Sequence, residues 1–299
     1  MTERVTYRGR FAPTPSGPLH LGSLLTALAS YLQARAQGGL WLIRVDNLDQ
    51  ARCLPGMDSV ILRQLEAHGL LWDETPRYQS QHIAEYAAAL HKLAERDLLY
   101  RCICTRAELA LTSLPGPDGS VYAGTCRNKR HSDGAAALRL RVTGTTLEFT
   151  DGWQGLQQRR LEHEVGDFTV RRADGMTAYQ LACAVDEPAQ SITEVVRGAD
   201  LLGSSFRQIH LQRVLGLPVA QYRHLPVLID TTGRKLSKQN HALAVRSETA
   251  TANLFHCLRL LGQCPVTELS DSSLTEMLDW AVSHWRAELV PRAAQLAVE

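Results

Sequence analysis

Arg10-Phe-Ala-Pro-Thr-Pro-Ser-Gly-Pro-Leu-His-Leu-Gly-Ser23 is the stretch on which the fold turns. Between Pro13 and Pro18 the chain is too rich in proline and glycine to continue a strand or a helix, so it must turn there. Directly afterwards Leu21, Leu24, Leu25, Leu28 and Leu32 recur at the spacing of one helical face, and Gly38-Gly39 supplies a stop. On the upstream side Val5-Thr-Tyr7 reads as a short β stretch, and downstream Leu40-Trp-Leu-Ile-Arg-Val45 reads as a buried strand. Strand, turn, helix and strand in that order make a βαβ unit, whose crossover is right-handed and whose ligands bind beyond the carboxyl ends of the strands. An α/β, doubly wound nucleotide-binding domain is therefore predicted. His20 stands at the helix start, where free N–H groups and the positive dipole end favour a phosphate chain, and Gly22 lets a nucleotide approach the backbone.

Working outward, Met57 to His68 and Ile83 to Glu95 show further helical periodicity, and Leu98 to Cys104 looks extended. The chain then changes character, with the breaker-rich Leu114-Pro-Gly-Pro-Asp-Gly119 and the half-exposed strand pattern of Ala137 to Val142. Apolar strand-like runs resume at Ile192 to Val196 and Leu225 to Ile229, with a helical stretch from Phe206 to Leu215 between them. Amphipathic helices are expected around Leu254–Leu258 and Met277–Trp280. The predicted organisation is a Rossmann-type domain in two halves (1–98 and 191–240), a mixed α+β insertion (99–190) and a small C-terminal helical subdomain (241–299).

At 299 residues the chain exceeds what one core usually serves. Its 44% hydrophobic and 21% charged residues, with only 21 glycines and 12 prolines, exclude disordered and fibrous classes. A net charge of +1 leaves no global cationic field, so RNA binding would need a local patch, such as Arg127, Lys129, Arg130 and His131 or Arg171-Arg172. No run of about 18 apolar residues occurs, and Met1-Thr-Glu-Arg4 lacks the apolar core of a signal peptide, which predicts a cytoplasmic chain without a membrane partner.

Of the seven cysteines, Cys102, Cys104 and Cys126 crowd one window, a distribution that suits a metal in a reducing compartment better than a disulfide framework. Thiolates at i and i+2 plus a third nearby suit tetrahedral Zn²⁺, with Zn–S of about 2.3 Å. A fourth ligand is required, and on chemistry alone His131 is the orthodox choice. A second candidate lies at Gly233-Arg-Lys235-Leu236-Ser237-Lys238-Gln239, by composition a basic turn.

The first segment resembles the signature of class I aminoacyl-tRNA synthetases, in particular the glutamyl branch, where Arg-Phe-Ala-Pro-(Ser/Thr)-Pro-(Ser/Thr)-Gly leads into His-Ile-Gly-His. Here that motif stands as His20-Leu21-Gly22-Ser23. Lys235-Leu236-Ser237-Lys238-Gln239 is similar to the second signature, Lys-Met-Ser-Lys-Ser. The resemblance implies that His20, with Gly22 and Ser23, meets the ATP phosphates, and that Lys238, supported by Lys235 and Mg²⁺, neutralises charge as the α-phosphate is attacked. For L-glutamate it implies Arg10, Asp46 (one methylene shorter than the family's usual glutamate), Tyr179 and Arg197, with Ser16 adding a hydroxyl. Arginines suit carboxylates because the planar fork binds bidentately. For zinc it implies Tyr122 as the fourth ligand, since short relatives pair Cys-x-Cys with Tyr-x-x-x-Cys.

Residues 239–299, the 61 after Lys238, are too few for the usual anticodon-reading module. The resemblance therefore points to short, zinc-bearing members that activate glutamate without tRNA and pass it to queuosine in the anticodon of tRNA(Asp). No obligate protein partner is implied. Two other functions stay open: a truncated synthetase that charges a tRNA 3′ end, and a non-catalytic zinc-bearing RNA-binding relative.

Overall fold

The computed structural model describes residues 6–131, 134–144, 146–236 and 243–298. β1 (Arg8–Phe11) and β2 (Leu40–Val45) are parallel neighbours in register Arg8↔Leu40 to Phe11↔Ile43, with α1 (Leu21–Arg35) as the crossover. The βαβ unit thus forms as expected, but β1 runs Arg8–Phe11, beyond the expected Thr6 and Tyr7, while Val5 lies outside the described residues. Two arginines in four residues disguise the strand, and Arg10 is tolerated there because a buried carboxylate meets it. Leu24, Leu25, Leu28 and Leu32 are all buried, each contributing about 1.5–3 kcal/mol relative to exposure. The stop after α1 is built as read: Gly38 takes a left-handed φ of 61°, and a Cβ on Gly39 would sit 2.5 Å from the Tyr7 carbonyl oxygen. α2 (Met57–Ala67), the short β3 (Arg77–Tyr78) beside β2, and α3 (Ile83–Glu95) complete the first half.

β4 (Leu99–Cys102), α4 (Arg106–Thr112) and the small hairpin of β5 (Leu114–Gly116) and β6 (Gly119–Val121) follow. β7 (Ala137–Leu140) pairs antiparallel with β4 and will pair on its other side with β10 (Thr169–Arg171); between them run β8 (Thr146–Asp151) and β9 (Gly155–Arg160). After α5 (Tyr179–Ala189) come β11 (Glu194–Gly198), α6 (Leu202–Leu215), β12 (Gln221–Leu225) and β13 (Val227–Ile229). α7 (Ala250–Leu260), α8 (Leu274–Ser283) and β14 (Gln295–Ala297) close the chain, β14 lying parallel to β13.

β11 and β12 are parallel, and the β8–β9 hairpin extends their sheet through Tyr222↔Asp151. Hydrogen bonding joins the halves, the Thr193 N–H donating to the Arg8 carbonyl (2.9 Å) and the Tyr7 hydroxyl to Glu194 (2.9 Å). Two large cores result. One packs α1 against the terminal helices through Leu28, Leu254, Leu258 and Met277, and the other joins Leu42 and Phe206 to Leu140, Leu147 and Val165. The segment expected as an insertion and the expected C-terminal helices therefore each share a core with the nucleotide-type halves. No helix among the described residues is long and apolar enough to cross a membrane.

Candidate active site

A cavity of about 640 Å³ opens at the carboxyl ends of β1 and β11, and Arg10, Ser16, His20, Gly22, Ser23, Tyr179, Arg197 and Lys235 all line it. Residues from both signatures, some two hundred positions apart in sequence, thus face one space. Asp46 lines an adjoining cavity of about 930 Å³ that shares Thr14, Arg52 and Tyr179 with the first.

At one end His20 caps α1. The Ser23 N–H donates to His20 Nδ1 (3.4 Å), and the His20 N–H donates to Ser23 Oγ (2.8 Å), a reciprocal box that ties up the serine hydroxyl locally. Gly22 is glycine for a local reason as well: a Cβ there would lie 3.1 Å from His20 Cε1. The second signature begins against β13, and the chain after it is held against this helix start. Lys235 bridges to Ile229 and the Leu236 N–H donates to the Leu228 carbonyl, while Ala244 bridges to His20 and the Val245 N–H donates to the Leu19 carbonyl (2.8 Å). Lys238, with Ser237 and Gln239, lies outside the described residues. Lys235 Nζ is 2.5 Å from Asp200.

At the other end the charged side chains are buried. Arg10 donates to Glu187 (3.0–3.2 Å) and to the Val196 carbonyl (3.1 Å), and Arg44 reaches both Asp46 (2.7 Å) and Glu187 (3.0 Å). Asp186 is held by Arg77 (2.9 Å), Gln79 (2.8 Å) and the Tyr86 hydroxyl (2.9 Å). Burial alone would raise the Glu187 carboxyl, but Arg10 and Arg44 outweigh it and hold it at about 2. Burial keeps Asp46 above the usual carboxylate range despite Arg44. Arg197 donates to His224, Gln208 and Ser205. Tyr179 opens α5 and, partly exposed, lines both cavities.

Glu187, Arg44, Asp186, His224 and Asp151 were not legible as site residues. The one local signal was Asp186-Glu187, which follows the apolar run Leu181-Ala-Cys-Ala-Val185 on the same helix and so had to be buried and paired.

Beside the second cavity Cys102, Cys104 and Cys126 bring their sulfurs within 4.8 Å of one another. The Tyr122 hydroxyl lies 3.4 Å from both Cys102 and Cys104 Sγ and accepts the Cys126 N–H (2.8 Å). Cys104 and Cys126 sulfurs are 3.5 Å apart, close to the roughly 3.8 Å edge of a tetrahedral zinc–thiolate site with bonds of about 2.3 Å. The donor set therefore fits a tetrahedral thiophilic ion. Burial would raise the Cys102 thiol, yet hydrogen bonding with Tyr122 and Arg139 lowers it to about 7, while burial leaves Cys104 at about 11. Arg139 stacks on the Tyr122 ring with Cζ 3.8 Å from its centroid. His131 does not join the three sulfurs, and its Nε2 is buried without a partner among the described residues.

The family described as "tRNA synthetases class I (E and Q), catalytic domain" matches residues 6–279. The chain belongs to that family. Among curated members, the "Glutamyl-Q tRNA(Asp) synthetase" of Thiobacillus denitrificans is 49% identical over 284 residues, covering 95% of this chain and 94% of that one. The protein of the same name from Ectopseudomonas mendocina is 47% identical over 291 residues, 97% of each chain. A crystal structure of a glutamate-tRNA synthetase from Elizabethkingia anophelis superimposes with a TM-score of 0.80 at 23% identity, covering 98% of this chain and 68% of that one. A glutamate tRNA ligase from Elizabethkingia meningosepticum, solved with its amino acid, gives 0.79 at 24%, covering 96% and 66%. The mixed α/β architecture is thus the class I E and Q synthetase fold.

Proposed function

We propose that this protein activates L-glutamate with ATP, without tRNA, and transfers the glutamyl group to queuosine in the anticodon of tRNA(Asp). The observation that carries the reading is the single cavity in which a helix-start, phosphate-type site meets two buried arginines, in a chain that aligns along nearly its whole length with relatives bearing the glutamyl-Q name. Two arginines answer the two carboxylates of glutamate: Arg10 from β1 and Arg197 from β11. Asp46 and the Tyr179 hydroxyl receive the amino group, and Ser16 adds a hydroxyl. His20, Gly22 and Ser23 at the start of α1 receive the triphosphate, where the helix dipole favours anions.

The glutamate α-carboxylate attacks the α-phosphorus, the mixed anhydride forms and pyrophosphate leaves. Lys238, with Lys235 beside it, neutralises charge on the non-bridging oxygens, and Mg²⁺ accompanying ATP would share that load. A queuosine hydroxyl then attacks the activated carbonyl and AMP leaves. That step needs chiefly positioning, because the anhydride is already reactive. The adjoining cavity walled by Arg52, Arg106 and Arg172 supports entry of a nucleotide beside Tyr179. Cys102, Cys104, Tyr122 and Cys126 would hold a structural zinc that fixes the chain between β4 and β7, within the expected insertion 99–190. The division into 1–98 with 191–240, the zinc-bearing 99–190 and the helical 241–299, and a cytoplasmic location, belong to the same reading.

Lys238→Ala is expected to cut glutamate-dependent ATP–pyrophosphate exchange about 100-fold, the effect of removing one preorganised charge stabiliser, with zinc content unchanged. Exchange at the wild-type rate would remove Lys238 from the mechanism. The function itself is tested with radiolabelled glutamate and tRNA from cells that do or do not make queuosine. Label confined to queuosine-containing tRNA is the expected result. Equal label on both, held by tRNA(Glu), would instead mean 3′-end charging, and no label on either a binding protein.

A further inference from the structure

Arg197 differs from the other buried arginines of the site in the company it keeps. Arg10 and Arg44 lie against carboxylates, at 3.0 Å and 2.7 Å, which offset part of their charge. Among the described residues, the hydrogen-bond acceptors of Arg197 are all neutral: His224 Nε2 (3.1 Å), Gln208 Oε1 (2.8 Å) and Ser205 Oγ (2.7 Å). The parallel register of β11 and β12 sets Arg197 beside His224, so the guanidinium and the imidazole stand together on one face of the sheet. Asp151, the acid that His224 holds on that side, is one imidazole further away, with Oδ2 2.5 Å from His224 Nδ1. Asp151 and His224 are 1% and 0% exposed, so neither exchanges partners with water.

The hydrogen bonding of this chain has one consistent direction. Asp151 Oδ1 accepts the N–H groups of Trp153 (2.9 Å), Gln154 (2.9 Å) and His224 (3.1 Å), which pins the carboxylate and aims Oδ2 at the ring. Nδ1 therefore carries the ring proton, and Nε2 is left as a lone pair. That lone pair faces the Arg197 Nε–H and the Ser205 hydroxyl at 3.0 Å, both of which need an acceptor there.

We propose that Asp151 and His224 form a positioning relay that locks Arg197 in orientation through a neutral contact, so that its full positive charge is left for a carboxylate of the amino-acid substrate. A carboxylate in place of His224 would hold Arg197 equally well but would offset part of the charge that a substrate carboxylate meets. The relay deepens the proposed function and rests on the reading of Arg197 as a glutamate ligand.

Asp151→Asn is the informative variant because it keeps the shape and reverses the relay. The three backbone N–H groups would keep the amide oxygen at the Oδ1 position, turning the NH₂ toward Nδ1 and forcing the ring proton onto Nε2, against the Arg197 Nε–H. His224→Leu removes the acceptor outright, whereas His224→Gln offers a side-chain oxygen near the place of Nε2. KM values for glutamate and for ATP would be measured by pyrophosphate exchange for these three variants and for Arg197→Ala, with thermal unfolding to confirm folding. In Asp151→Asn and His224→Leu the glutamate KM is expected to rise about 10–100-fold, the effect of losing a hydrogen bond to a charged group, with the ATP KM within about 3-fold of wild type and His224→Gln close to wild type. An Arg197→Ala variant with raised glutamate KM alongside an unchanged one in folded Asp151→Asn would overturn the relay alone. A parallel rise of both KM values would also overturn it, as general damage. An unchanged glutamate KM in Arg197→Ala would overturn the glutamate pocket itself.

Discussion

Glu187→Gln is expected to lower the unfolding free energy by about 3–5 kcal/mol, the cost of breaking a buried ion pair from one side. Three guanidiniums (Arg10, Arg44 and Arg77) face three buried carboxylates (Asp46, Asp186 and Glu187), with the half-exposed Glu85 also on Arg77, and Glu187 touches two of the three cations. The glutamine keeps the shape and removes the charge, taking from the buried Arg10 the carboxylate it pairs with. The loss is a large part of the 5–15 kcal/mol that holds most domains folded. The pH dependence follows from the same contacts. The folded-state value of about 2 lies below the ordinary 4.5, so the stabilisation by Glu187 is fully present above pH 4.5 and is lost as the pH falls toward 2. Urea unfolding of both proteins from pH 2 to 7 checks both points. A difference under about 1 kcal/mol at pH 7, or one that persists at pH 2, would show that the network is not organised around Glu187.

Protein purified without chelator is expected to carry about one zinc per chain, and Cys126→Ser to carry almost none, because three thiolates and one oxygen leave no spare ligand for a tetrahedral ion. Tyr122→Phe should weaken retention against a competing chelator by about 10-fold or more, while His131→Ala should leave it unchanged. The reverse order would make His131 the fourth ligand. Loss of metal should loosen the small cluster of Tyr100, Cys102, Tyr122 and Cys126 and leave the two large cores folded, since neither contains these residues. Amide exchange that rises only around 100–126 on chelation would report this. Substoichiometric zinc in gently handled protein would reject the site.

Residues 10–45 show how far local pattern reaches. Leucines every three and four residues mark α1, and the breakers at Pro13–Pro18 and Gly38-Gly39 set its ends, so α1 and β2 are read directly, whereas the expected stretch Val5–Tyr7 shares no residue with β1. The strand boundary was misplaced at Arg8 and Arg10 because hydrophobic pattern registers a buried arginine as solvent-facing. Its justification, Glu187, lies 177 residues away. The Cys102-x-Cys104 spacing marked a candidate metal site, but chemistry alone pointed to His131, and Tyr122 was favoured only through the Tyr-x-x-x-Cys pattern of the resemblance. Both follow the second cysteine by ordinary loop distances, and only the fold brings the phenol to 3.4 Å from two sulfurs.

By itself, then, the sequence determined the elements whose periodicity is local, the class I family through its two signatures, and the residues those signatures name. Tertiary structure decided what surrounds each charge: Glu187 against Arg10, Arg44 against Asp46, and the Asp151–His224 pair against Arg197. The reason is physical. A helical face or a turn is specified by neighbours along the chain, whereas a buried charge is stable only with a partner that chain topology delivers from elsewhere, and no spacing rule connects the two.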